Sequence, residues 1–373
     1  MKSIGQSIWI SALMMTTLGC STGTVDGGIT SGRGGVGAAP RERTDNDSGN
    51  AGDDCATFQV KVLTLAAFQA EADLWLQNDH LDRVIDLPGA FSPLYCNGSG
   101  HCLTIVGEAA TNAATSMMAL GLNRNLDLRR TYLMMAGVAG TPPDRATLGA
   151  VAWARWVIDG DIKFEIDSRE MPPSFLYPMF RQGCPTSQWC DDPAFSTGTE
   201  VYHLNETLTE RAFEISSRVP LVDTDEAAAF RVLYPDGLPA RRTPFVAKCD
   251  SFSASMFWHG QLLFEWARFW TGKWTNGQGD YCMSNEEDAG ITTAVRRLAN
   301  ARIADFNRLM VMRGASDFDI QHPGETADQS LADGFPGFSA AIQNLYLAGH
   351  AVTQHIIDHW DDWKDGPPSQ PIR

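Results

Sequence analysis

The sequence has no Cys-x-x-Cys pair and no His-Glu-x-x-His. Both are spacings by which zinc sites are recognised, so nothing in it asks for a bound metal or cofactor. It is short of positive charge: 29 Lys and Arg stand against 45 Asp and Glu, a net charge of −16 at pH 7. That balance argues against a nucleic-acid backbone or an anionic membrane surface as partner. Beyond the N-terminal stretch no segment approaches eighteen apolar residues in a row, so the mature chain has nothing to span a bilayer as a helix. Large apolar residues are nearly missing from residues 21–56, where Gly, Ser, Thr, Asp and Asn dominate. Such a stretch reads as a flexible tether.

What is present at the N-terminus points to export. Lys2 is followed by an apolar run over residues 8–18, the length of a signal-peptide core. It ends in Thr17-Leu18-Gly19-Cys20, which resembles a bacterial lipoprotein signal. Residues 1–20 are therefore expected to be a signal segment, with Cys20 lipidated as the mature N-terminus. The expected location is the bacterial cell envelope, lipid-anchored or periplasmic, with plain secretion as the alternative. The cysteines agree with an oxidising compartment. Cys96 with Cys102 and Cys184 with Cys190 close two short loops, and Cys249 with Cys282 is a third candidate disulfide, leaving Cys55 over. Buried free thiols are the competing reading.

The remainder, residues 57–365 with a short tail at 366–373, alternates strand and helix patterns. Strands are expected at residues 58–65, 102–106, 131–135, 148–154 and 309–312, and a Gly-rich loop at residues 136–141. Helices should follow the first and second of these strands. Short linkers between such elements imply a largely parallel sheet covered on both faces. Ser284 is placed to cap a helix whose third residue is Glu287. Asp317 follows the last strand after small residues. In an open α/β sheet these two acids can share the crevice beyond the strand ends. The plainer readings make Glu287 a capping-box residue and Asp317 the cap of a following helix.

Longer runs carry a family resemblance. Gly137-Val138-Ala139-Gly140 and Ala146-Thr147-Leu148-Gly149-Ala150-Val151 resemble the signature of the nucleoside phosphorylase and nucleosidase superfamily. The chain is similar, more closely, to the purine nucleoside permease family. The matching runs include Val151-Ala152-Trp153-Ala154-Arg155-Trp156, Gly198-Thr199-Glu200-Val201-Tyr202, Phe257-Trp258-His259-Gly260 and Ile342-Gln343-Asn344-Leu345-Tyr346. The resemblance implies one three-layer α/β/α domain of nucleoside phosphorylase type, built on a mixed, largely parallel sheet, and a homo-oligomer.

It also implies a purine nucleoside site. Ala67-Phe68-Gln69-Ala70-Glu71 is similar to the nucleosidase turn whose Glu activates water, which puts Glu71 in that role. Glu286-Glu287 stands where the superfamily binds the ribose hydroxyls. Ser316-Asp317 matches the Ser-Asp pair whose Asp protonates the purine. Phe257 corresponds to the aromatic that stacks on the base, with Trp258 as its neighbour, and Ala139 and Gly140 fall on the base side. The chemistry is coherent: a general acid at the leaving purine, a carboxylate offsetting cationic character on the sugar, and a base for water. Hydrolysis of the ribosyl–purine bond at the envelope is the leading expectation. Nucleoside binding or uptake without catalysis is the alternative, and phosphorolysis comes third, because Val138 stands where phosphorylases place a phosphate-holding Ser, with Arg169 and Arg313 left as candidate cations from elsewhere.

Trp266, Trp270 and Trp274, at spacing four, read as core. His259 reads as a hydrogen-bonded structural residue. His355 and His359 make a weak metal pair, and residues 165–170 a salt-bridged loop or dimer contact.

Overall fold

The computed structural model describes residues 58–184 and 187–372. The expected signal segment with Cys20, and the expected tether with Cys55, lie outside the described residues. The elements that matter for the site are β1 (Val62–Ala66), α1 (Gln69–Asn78), β2 (His101–Ile105), α2 (Ala109–Gly121), β3 (Tyr132–Thr141), β4 (Val151–Trp153), β5 (Trp156–Asp159), β6 (Asp250–Ser253), α3 (Gln261–Trp274), β7 (Tyr281–Asn285), α4 (Asp288–Asn300), β8 (Leu309–Phe318) and α5 (Phe338–Asp358).

The sequence Val-Leu-Thr-Leu-Ala of β1 is buried on both faces, the mark of a strand inside a covered parallel sheet. It pairs in parallel with β2 on one side and with β3 on the other. β3 also pairs in parallel with β8 along nearly its whole length. Antiparallel pairings bring in β4 against β8 and β7 against β3, the latter at Ser284 and Gly140 alone. β7, β6 and β5 then continue in parallel. The expected mixed, largely parallel sheet is therefore present. Helices cover both faces. α2 and α4 enclose one apolar core with Leu63, Leu65, Leu133 and Val311. α1, α5 and the helix Glu206–Ser216 enclose another with Val62, Met134, Met310 and Met312. Close approach of α2 and α4 depends on Gly290, where a methyl group would sit 2.3 Å from the Ala110 carbonyl oxygen.

Three expectations about local structure change. Residues 136–141 are not a loop: β3 runs through them to Thr141, and β8 likewise runs on to Phe318. Small residues look like a turn in sequence, but here they let polar side chains press against extended backbone. Ser284 is not a helix cap, because it lies in β7 and the helix starts later, at Asp288. The amide of Asp288 is instead satisfied by Asn285 Oδ1 at 3.1 Å. Asp317 caps no helix either, since it belongs to β8.

Trp266 and Trp270 are fully buried on α3, and Trp189 meets Trp270 edge-on at 5.6 Å, so the tryptophan stripe is core. The loop at residues 165–170 holds the expected salt bridge, Arg169 to Asp167 at 2.7 Å, on the surface. His355 and His359 stack on each other at 4.3 Å. All three candidate disulfides are formed, Cys96–Cys102, Cys184–Cys190 and Cys249–Cys282. The last joins the entry of β6 to β7 across 33 residues of chain. Replacing Cys249 and Cys282 together by Ala should lower unfolding stability by roughly 2–4 kcal/mol, the usual contribution of such a crosslink. Urea denaturation of the variant measures this, and an unchanged midpoint would contradict it.

Candidate functional site

At the carboxyl ends of β3, β7 and β8 lies a cavity of about 370 Å³. Its wall contains Glu71, Ala139, Gly140, Phe257, Glu286, Glu287, Ser316 and Asp317. The residues assigned to acid–base chemistry, ribose and base thus face one space, although Glu71 and Asp317 are far apart in the chain. The volume lies within the range of small-molecule sites, roughly 300–1,000 Å³. A wider open groove lined by Tyr177, Phe264, Arg268 and Phe269 contains none of these acids.

The acids are held by backbone and by one cation. Glu71 enters from the first turn of α1. Its carboxylate accepts the amide of Ala67 at 2.6 Å and that of Val138 at 2.7 Å. Glu287 stands at the start of α4, and its side chain makes no cap bond there. It reaches instead to the amide of Ala109 at 3.2 Å and to Arg313 at 3.0 Å. Ala109 has φ +68°, a left-handed conformation rare for a residue with a side chain, and this aims its amide at Glu287. The capping-box reading of Glu287 is therefore replaced by an inward-facing carboxylate.

Arg313, in the middle of β8, is fully buried. Its guanidinium donates to Asp288 at 2.6 Å, to Glu287, and to the Val138 carbonyl at 3.0 Å. Ser251 donates to the far oxygen of Asp288 at 2.5 Å. Gly137 is obligatory beside this group, because a methyl there would meet Arg313 Nη1 at 2.5 Å and Glu71 Oε1 at 2.9 Å. Gly140 does the same further along β3, where a methyl would lie 2.6 Å from Ser284 Oγ and 3.2 Å from Asp317 Oδ2. Removing one member of such a buried charge group typically costs about 3–5 kcal/mol, because a charge is left uncompensated.

Electrostatics push several of these acids toward the neutral form. Burial raises Asp317 to about 7, against a hydrogen bond from Ser316 Oγ, 2.8 Å away, that opposes the rise. Burial also raises Glu71 to about 7; the Arg313 charge pulls it down and Glu287 pushes it up. Glu286, half-buried at the mouth, rises to about 7 through desolvation and the repulsion of Glu287 and Glu108. Behind Asp317, Asp319 accepts the hydroxyl of Tyr281 and is raised to about 8 by burial.

Aromatic rings close the mouth. Phe257 and Phe335 are about half exposed and meet edge-on at 5.9 Å, while Phe68 and Phe338 line the interior. Trp258 points away into the core against Phe252, so it does not stand in for Phe257. His259 differs from expectation as well, because its Nε2 is buried without a hydrogen-bond partner.

Sequence reasoning missed Asp288, Ser251, Phe335 and Phe338. Asp288 carried a signal, as the third acid of Glu286-Glu287-Asp288; the two phenylalanines carried none until the chain returned them to the mouth.

The purine nucleoside permease family profile matches residues 59–368, nearly all of the described chain. The chain belongs to that family. Among its relatives is a probable purine nucleoside permease of Schizosaccharomyces pombe, 33% identical over 330 residues, covering 83% of this chain and 92% of that protein. A purine nucleoside permease of Candida albicans is 32% identical over 336 residues, covering 86% of this chain and 81% of its own. Solved structures that align include a 5′-methylthioadenosine/S-adenosylhomocysteine nucleosidase from Neisseria meningitidis, at 17% identity and TM-score 0.47, covering 79% of this chain and 99% of that one. A futalosine hydrolase of Helicobacter pylori aligns at 15% identity and TM-score 0.48, covering 79% and 98%. For this permease-family chain, the site geometry rests on its own residues.

The raised carboxyl groups make stability depend on pH. Asp317 has an ordinary value of 3.8 and a folded value of about 7. Below the lower value both states hold the proton; between the two only the folded state does, so stability falls as pH rises through that window. Asp317→Asn removes one share. The loss of stability between pH 5 and pH 8 should be smaller in the variant by roughly 2–3 kcal/mol. Denaturation at the two pH values tests this, and equal losses in both proteins would contradict it.

Proposed function

We propose that this permease-family protein binds a purine nucleoside in the cavity at the ends of β3, β7 and β8. The observation that carries the reading is the convergence of Phe257, Glu287, Ser316 and Asp317 on one space. Purine nucleoside is the ligand class in the names of its relatives from Schizosaccharomyces pombe and Candida albicans. The base would lie against Phe257 with its ring nitrogens toward Asp317, and the ribose hydroxyls would donate to Glu287. A protonated Asp317 donates to a neutral purine, whereas an anionic one would repel its lone pairs.

A second reading is that the bound nucleoside is cleaved, and the pairing of Asp317 with Glu71 supports it. Asp317 would give its proton to a purine ring nitrogen as the bond from C1′ to the base breaks. Water would add to C1′, with Glu71 accepting its proton, leaving free base and free ribose. Near neutrality each acid is populated in both forms, as this division of labour requires. Phosphorolysis is the weakest reading: Arg313 is already ion-paired with Glu287 and Asp288, so it offers no cation to a phosphate beside those carboxylates. For the uptake reading, no helix among the described residues is long and apolar enough to cross a membrane. In the uptake reading the protein captures the nucleoside and delivers it, with Cys20 as a proposed anchor. The three disulfides support a proposed location outside the reducing cytosol.

The readings separate when the purified protein is incubated with adenosine, inosine or guanosine, with and without phosphate, and the products are resolved by chromatography. Binding without turnover is the outcome of the capture role. Release of base without phosphate is the outcome of cleavage, and Asp317→Asn should then slow it by about 10²–10⁴-fold while binding is retained. Failure of all three nucleosides to bind would contradict the proposal.

A further inference from the structure

Outside the cavity of the candidate site, His322, Glu325 and Asp333 each bring one ligand atom within 4.8 Å of the others. His322 Nδ1 lies 3.1 Å from the Pro323 carbonyl oxygen. A carbonyl only accepts, so Nδ1 of the neutral ring carries the proton and Nε2 presents its lone pair. That Nε2 faces Glu325 Oε2 at 3.3 Å. The Glu325 side chain is only 10% exposed, and its Oε2 is buried without a hydrogen-bond partner. Two carboxylate oxygens and an imidazole lone pair repel one another unless a proton or a metal ion lies between them. A backbone carbonyl on the distal ring nitrogen is also the usual support of a metal-binding histidine.

We propose that His322, Glu325 and Asp333 form a binding site for a divalent transition-metal ion of the zinc class. One imidazole with two carboxylates suits zinc better than magnesium or calcium, which take oxygen ligands alone. Donors around a tetrahedral zinc ion stand roughly 3.5 Å apart, so the set closes by about an ångström on binding. The exposed Asp333 has the freedom to supply that movement.

The placement gives the ion a job. Glu325 precedes and Asp333 follows the short helix Ala327–Ala332, whose caps are Thr326 and Asp333. A shared ion ties both ends of that helix to His322, close after β8. Two residues beyond Asp333 stands Phe335, which lines the mouth of the cavity. Metal binding would therefore stiffen the rim segment without touching the acids inside.

Titrating the purified protein with zinc chloride in a calorimeter tests the site. Wild type is expected to bind one equivalent, His322→Ala and Asp333→Asn should each weaken binding by more than about tenfold, and magnesium should give no competing heat. Limited proteolysis in parallel should show cleavage near residues 326–335 slowed by zinc in wild type only. Equal zinc binding by wild type and both variants, or no binding by wild type, overturns the proposal; the latter would mean that a proton alone bridges His322 and Glu325.

Discussion

A single buried guanidinium holds the centre of this protein together. Arg313 projects from β8 into a space that also contains Glu71, Glu287 and Asp288, so one cation serves three carboxyl groups. It is anchored on β3 through the Val138 carbonyl and on α4 through Asp288, and it reaches Glu71 electrostatically from α1. Strand, helix start and the first turn of another helix are thereby registered against one another. A buried cation with two direct ion pairs cannot shift without leaving charge uncompensated, so the geometry is fixed sharply. Asp317 lies outside this ion-paired group, and burial alone drives it toward protonation, against the hydrogen bond from Ser316.

Glycine makes this arrangement possible. The small residues of β3 leave room for Arg313 and Glu71 at Gly137 and for Ser284 and Asp317 at Gly140. The cavity is therefore lined on this side by backbone and carboxyl groups, with Phe257 and Phe335 at the mouth and Phe68 and Phe338 further in. A planar, nitrogen-rich base attached to a polyhydroxylated sugar matches that division: ring faces at the entrance, acceptors and one proton donor inside.

Much of this was legible in the chain. The alternation of strand and helix patterns implied a largely parallel sheet covered on both faces, the family resemblance implied that the sheet is mixed, and the cysteine spacing pointed to the crosslinks. Glu287 and Asp317 were identifiable because each stands at the end of an element, where an α/β sheet exposes side chains, and Glu71 through its resemblance to the nucleosidase turn. Residues 136–141 were misread because Gly and Ala favour turns locally, whereas here tertiary pressure from charged side chains selects them within a strand. Ser284 was misread because a serine before acids mimics a cap, while its backbone belongs to β7. Phe335 and Phe338 carried no local signal at all; only the return of the chain after β8 brings them to the cavity. Asp288 was hidden beside two acids with stronger resemblance to known roles, although it is the one bound most tightly to Arg313.

The central claim is that a purine nucleoside occupies this cavity in one orientation. A crystal structure of the protein soaked with adenosine tests it most directly. The account predicts the base packed on Phe257 with a ring nitrogen within hydrogen-bond distance of Asp317, and the ribose hydroxyls on Glu287. Density for the nucleoside anywhere else, or a base turned away from Asp317 with the sugar at Phe257, would contradict it.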